Sequence, residues 1–368
     1  MAITTREQTP DTQAAEDRRT NVGIVDCDTH NYWQSIDELK PYLAKNWFEL
    51  IETVGLRHFA GGEYPRFWGD PDDRVPPSAR RPGSDPGFMA TDHLDAKGIA
   101  YAMLIPLTAV TGMPDLAFAG ALARAINDWQ ADIWLDADPR LRASIIVPTE
   151  DPVAAAAEVR RAGRDSRFVQ VQFGGRPQEP MGRRRYWPIY EACAEVGIPV
   201  MSHAFGSTGN PITGTGWPSY YIEDHVDPPQ AMQANVISMV FEGVFEQFPN
   251  LDFLSVESGF GWAAPLMWRM DNAWRALPQE VPHLKRQPSE YMSEHVYYAT
   301  QPVEEPPERD FFAHLFDQYP AFKDHLLFSS DYPHWDGDDP ARALPGLHDA
   351  DLRDRVLHQN GRRLYGLS

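Results

Sequence analysis

Cysteine is nearly absent from this 368-residue chain, and its two copies, Cys27 and Cys193, cannot build a disulfide framework. That scarcity excludes a small cross-linked secreted scaffold. Both thiols read as small buried hydrophobes, Cys27 turned from a strand towards covering helices and Cys193 within a helical pattern. Positive charge is also in deficit, with 33 Lys and Arg against 53 Asp and Glu and a formal net charge of −20. Phosphate neutralisation needs clustered cations, so nucleic acid and anionic membrane surfaces are excluded as partners. No apolar run approaches the roughly 18 residues that a membrane span requires. The N-terminus lacks the apolar stretch of a secretory signal, so residues 1–20 read as a disordered tail ahead of one domain over residues 21–368. These absences leave a cytoplasmic protein whose partner is a small molecule.

Short apolar runs rich in Val, Ile, Leu and Phe recur eight times, as expected of parallel strands buried on both faces. They fall at 22–30, 100–106, 141–148, 167–174, 198–205, 251–259, 295–300 and 325–333. Amphipathic stretches lie between them at 115–138, 151–163, 187–197 and 230–248. Asp151-Pro152 forms an N-cap followed by Pro in the first turn, and Gly163 and Gly197 suit helix ends. Alternation of this kind predicts a distorted (β/α)8 barrel of the TIM type. Long insertions follow the first and fifth strands, the first including 61–87 and the second 206–229. Both leave from the face where such barrels carry their active sites, and so read as pocket walls or lids.

Four of the strand ends carry donors for a metal ion. Asp28 and His30 end the first strand, His203 the fifth, Glu257 the sixth and Asp331 the eighth. Strand ends of a closed barrel ring one small volume, so donors distant in sequence converge there. Two imidazoles and carboxylates without thiolate predict one catalytic divalent ion, zinc first, with manganese or iron(II) as alternatives. Strand four reads Val169-Gln170-Val171-Gln172-Phe173 and lacks a lysine that could bridge two metals. Asp26 shares the face of Asp28 but lies deeper, where a hydrogen-bonding support role is expected. His334, Arg176, His225, Trp262 and Trp335 are candidate substrate contacts in loops on the same face, and Arg57, His58, Tyr64 and Arg66 lie in the first insertion.

The order Asp-x-His, a His after strand five, Glu257-Ser258-Gly259-Phe260-Gly261-Trp262 and Ser330-Asp331-Tyr332-Pro333-His334 resembles the amidohydrolase superfamily. It is similar in particular to the branch that includes aminocarboxymuconate semialdehyde and resorcylate decarboxylases. Gly243 to Pro249, Arg269-Met270-Asp271 and Asn360 to Gly366 extend the likeness over nearly the whole chain after residue 20. The resemblance implies metal ligation by Asp28, His30, His203 and Asp331, and a homodimer, for which the aromatic segments 268–274 and 311–322 are candidate surfaces. This chain departs from the branch at Asp28, where relatives have His or Glu, and at Glu257, where they have His.

A Glu beside a metal-bound water suits general-base work in hydrolysis. The leading expectation is therefore a mononuclear metal-dependent hydrolase with Glu257 and Asp331 as catalytic groups. The alternative is a non-oxidative carboxy-lyase acting on an aromatic or unsaturated acid. A non-catalytic binding barrel is the remote third reading.

Overall fold

The computed structural model describes residues 23–55, 74–78, 81–108, 110, 113–204, 211, 214–308, 310–344 and 349–368. The expected N-terminal tail, together with Arg57, His58, Tyr64 and Arg66, lies outside the described residues. Eight strands form, namely β1 (Ile24–Thr29), β2 (Ile99–Leu104), β3 (Leu141–Ile146), β4 (Phe168–Gly174), β5 (Val200–His203), β6 (Phe253–Val256), β7 (Val296–Ala299) and β8 (Leu326–Leu327). They pair in chain order, every ladder parallel. Beyond its two ladder residues β8 runs on against β1. Cys27 N–H donates to the Phe328 carbonyl at 2.9 Å, Asp331 N–H to Asp28 at 3.1 Å, and His30 N–H to Tyr332 at 2.7 Å. These bonds close the sheet into the barrel anticipated from the sequence.

Helices surround the sheet and owe their limits to local chemistry. The Asp151 carboxylate accepts from Ala154 N–H, Pro152 follows in the first turn, and the helix Pro152–Ala162 runs to Gly163. Asp115 caps Leu116–Trp129 in the same way, and that helix continues through a wider turn over Gln130–Leu135. The stretch expected at 230–248 is two helices, Pro228–Phe241 and Val244–Gln247, because Gly243 takes φ 82° between them. One large apolar layer packs the outward faces of the strands, such as Leu104, Ile145, Phe173 and Tyr298, against the helices. Each fully buried side chain of this kind contributes roughly 1.5–3 kcal/mol. No helix among the described residues is long and apolar enough to cross a membrane.

Cys27 corrects one expectation. It packs with Met201, Leu254 and Leu327, from strands on other sides of the barrel, and so faces the interior rather than the helices. The register between β1 and β2 shifts between Asp26 and Thr29, which breaks simple alternation at the strand end. Cys193 is buried in the helix Trp187–Val196, as expected.

Candidate metal centre

Asp28, His30, His203 and Asp331 meet at the mouth of the barrel, and each is fully buried. One donor atom from each lies within 4.8 Å of all the others. His30 Nε2 stands 3.4 Å from Asp28 Oδ1 and 2.7 Å from Asp331 Oδ1, and His203 Nε2 stands 3.5 Å from Asp28 Oδ2. Two donors each about 2.1 Å from one ion, set between a right and a tetrahedral angle, lie roughly 3.0–3.4 Å apart; the His30–Asp28 separation falls in that range, His203–Asp28 just above it and His30–Asp331 below it.

Three observations show that the set fits a cation. Neither Asp28 oxygen has a hydrogen-bond partner among the described residues, although both are buried. A buried carboxylate left in that state is costly unless positive charge faces it. The His30 tautomer gives the second observation: Nδ1 lies 2.8 Å from the Ile105 carbonyl, which can only accept, so Nδ1 carries the proton. The Nε2 lone pair of the neutral ring then meets Asp331 Oδ1 at 2.7 Å, a contact that needs a proton or a cation between the two atoms. Third, burial alone would lower the His30 pKa, yet Asp28 and Asp331 outweigh it and raise it to about 9. Burial pushes the Asp331 carboxyl up, but His334 and His30 prevail and hold it well below the usual carboxylate range. Burial lowers the His203 pKa, which favours the neutral ring that a metal binds.

Support comes from below. Asp26 accepts from Ser330 N–H at 2.9 Å, His93 Nε2 at 2.8 Å and Asp28 N–H at 3.3 Å, the support role expected of it. Gln170 and Gln172 are engaged elsewhere, with Ser144 and Tyr365 and with the Pro106 carbonyl. Neither they nor a lysine supplies a bridge for a second ion.

Glu257 belongs to a second, half-buried group with His225 and Asp336, whose donor atoms also lie within 4.8 Å of one another. Its Oε2 is 3.4 Å from His203 Nδ1, on the far side of that ring from Asp28. Burial, then the charges of Asp331, Asp28 and Asp336, push the Glu257 carboxyl well above its ordinary range. Glu257 (φ 51°) and Asp331 (φ 56°) are the non-glycine residues with positive φ among those described. Such backbone costs on the order of 1–3 kcal/mol, and it clusters where function demands a particular side-chain direction.

The candidate substrate contacts separate into groups. His225, on the helix Tyr221–Val226, pairs with Asp336 at 3.2 Å and leans on Trp335, and Trp335 Nε1 reaches Tyr221 Oη at 3.4 Å. Arg176 is mostly buried and pairs with Asp224 at 3.3 Å. Trp262 is half-buried: its Nε1 donates to the Ser258 carbonyl at 2.8 Å and its ring meets Tyr298 edge-on against the core. His334 adjoins the inner cluster, with Nδ1 2.7 Å from Asp331 Oδ1 and its ring stacked on His30.

Sequence reasoning missed Tyr32, Gln301 and Asp336. Tyr32 follows His30 by two positions and Gln301 lies one residue past the expected end of strand seven, so the strand-end rule that found the others would have reached both. Gln301 Nε2 bridges Asp331 Oδ2 at 3.2 Å and Asp336 Oδ2 at 3.1 Å. Asp336 lies in an irregular loop with no periodicity to mark it.

The closed barrel and the donor cluster at its mouth define the class, a metal-type (β/α)8 enzyme. The amidohydrolase profile (Amidohydro_2) matches residues 25–367, and the chain belongs to that family. Gamma-resorcylate decarboxylase of Rhizobium sp. (strain MTP-10005) is 27% identical over 297 residues, covering 74% of this chain and 85% of the relative. The 2-keto-4-carboxy-3-hexenedioate hydratase of Sphingobium sp. (strain NBRC 103272 / SYK-6) is 28% identical over 165 residues, 42% of this chain and 45% of that protein. In fold, the chain is similar to 2,6-dihydroxybenzoate decarboxylase from Rhizobium, with a TM-score of 0.66, 22% identity and coverage of 94% and 99% of the two chains. A manganese-bound 5-carboxyvanillate decarboxylase from Novosphingobium aromaticivorans gives a TM-score of 0.68 at 18% identity, covering 94% and 96%.

Proposed function

We propose that the protein is a divalent-metal-dependent carboxy-lyase that removes carbon dioxide from an aromatic or unsaturated carboxylic acid. The observation that carries this reading is the buried Asp28, His30, His203 and Asp331 cluster, in which the Asp28 oxygens face two imidazoles without a well-formed hydrogen bond. Two carboxylates and two imidazoles suit manganese at least as well as zinc. The curated relatives support decarboxylation over the hydrolysis expected from the sequence alone.

A bound ion would supply Lewis acidity, neutralising the two ligand carboxylates and orienting an acidic substrate. The remaining work falls to the chain. Asp331, held ionised by His30 and His334, acts as a ligand rather than an acid. Glu257, whose carboxyl is pushed up first by burial, acts as the acid. Its proton goes to the substrate carbon that bears the carboxylate. The bond between that carbon and the carboxylate then breaks, its electron pair restores the conjugated system, and carbon dioxide departs. Glu257 regains a proton through the half-exposed mouth.

Hydration of a carbon–carbon double bond is a second reading, because it uses the same protonated Glu257 and one relative is a hydratase. Incubation of the manganese-loaded enzyme with a panel of hydroxybenzoic and unsaturated acids, followed by mass spectrometry, tests both. Loss of carbon dioxide supports the first and gain of water the second. Hydrolysis of amide or ester substrates with neither would sink both.

A further inference from the structure

The Asp331 carboxylate is fixed by a chain of side chains that leads away from the cluster. His334 Nδ1 lies 2.7 Å from Asp331 Oδ1, and His334 Nε2 lies 2.9 Å from the Tyr32 hydroxyl. An ionised carboxylate only accepts, so Nδ1 carries the proton. Nε2 on the other side of the ring is left to engage the Tyr32 hydroxyl, a group that can donate or accept. Tyr32 and His334 are both buried, and the His334 ring stacks on His30 at 4.3 Å. Tyr32 is itself clamped: the Arg81 guanidinium lies 3.5 Å from its ring centroid, and its N–H donates to Gly83 at 2.8 Å. Gln301 holds the other Asp331 oxygen. The backbone of Asp331, at φ 56°, sets where its side chain leaves the chain, and these partners fix how the carboxylate is turned.

We infer that Tyr32 and His334 form one positioning unit, which holds Asp331 towards Asp28, His30 and His203 and thereby sets affinity for the divalent ion. The inference rests on the metal reading above and adds residues that do not touch the ion. It also assigns a role to the first insertion, since Arg81 and Gly83 fix the outer end of the unit.

Manganese titration of the full-length, chelator-stripped protein, followed by electron paramagnetic resonance, tests the inference. Tyr32→Phe should weaken binding roughly 3–10-fold and His334→Ala about 10–100-fold, the range seen for partners behind metal ligands. His334→Gln keeps a donor and should recover part of the loss. The Tyr32→Phe/His334→Ala double variant should bind within about two-fold of His334→Ala alone, because Tyr32 acts through His334. A merely structural role would lower the melting midpoint of the stripped protein and leave manganese affinity unchanged. Tyr32→Phe binding manganese as tightly as the parent, or losses that multiply in the double variant, would overturn the inference. Should His334→Ala not fold, Tyr32→Phe alone decides. A parent chain that binds neither manganese, zinc nor iron(II) would instead overturn the metal reading, and this inference with it.

Discussion

Two donor clusters lie side by side at the barrel mouth, and they are built differently. The inner one takes Asp28, His30 and His203 from the ends of β1 and β5 and Asp331 from the chain just past β8. It is closed to solvent, and its His30 tautomer is fixed by the Ile105 carbonyl. The outer one takes His225 from an inserted helix, Glu257 from the turn after β6 and Asp336 from an irregular loop, all half-buried. The inner cluster therefore inherits the precision of the sheet, and the outer cluster can vary with its loops. This division teaches where each task belongs. Under the proposed function, ion holding falls to donors that cannot move, and proton delivery and substrate choice fall to groups that meet solvent and substrate.

The largest effect expected from this contrast is at the inner cluster. His203→Ala or Asp331→Ala should remove bound metal and abolish turnover together, as measured by elemental analysis and carbon dioxide release. Full metal stoichiometry in both would break the distinction at its base. Glu257→Gln should next lower kcat by about 100- to 1,000-fold, in the range for a positioned acid, while metal content stays intact. Loss of metal in that variant would move Glu257 into the inner set. Asp336→Asn, which weakens the pairing with His225, should change KM a few-fold, with a smaller change in kcat and none in metal content.

The smallest effect concerns pH. Burial raises the Asp338 carboxyl, in the same loop as Asp336, to about 6. The folded chain thus retains a proton that the unfolded chain gives up, which stabilises it at acid pH. That advantage is lost as pH rises through about 6. Asp338→Asn should consequently raise the melting midpoint above that pH and leave it unchanged below about pH 4, where both states are protonated. An equal gain at every pH would show that packing, not the charge, sets the effect.

Legibility followed the same division. Asp28, His30, His203 and Asp331 could be read because each lies at the end of an apolar run with a fixed two-residue period. The same rule, extended one or two positions, reaches Tyr32 and Gln301. Asp336 and the role of His225 could not be read, because loop residues carry no period and their neighbours come from other parts of the chain. Trp262 could be placed after β6, but not its partners, the Ser258 carbonyl and the Tyr298 ring. Cys27 was misjudged because the irregular pairing of β1 with β2 overrides alternation at that point.

The sequence by itself determined the barrel, its insertions and the donors of the inner cluster, since periodic hydrophobicity fixes strands and strand ends fix a rim. Only the tertiary structure decided the electrostatics of the site. Burial pushes the Glu257 carboxyl up, and His334 and His30 hold the Asp331 carboxyl down, and both effects depend on which residues from distant segments come within a few ångströms.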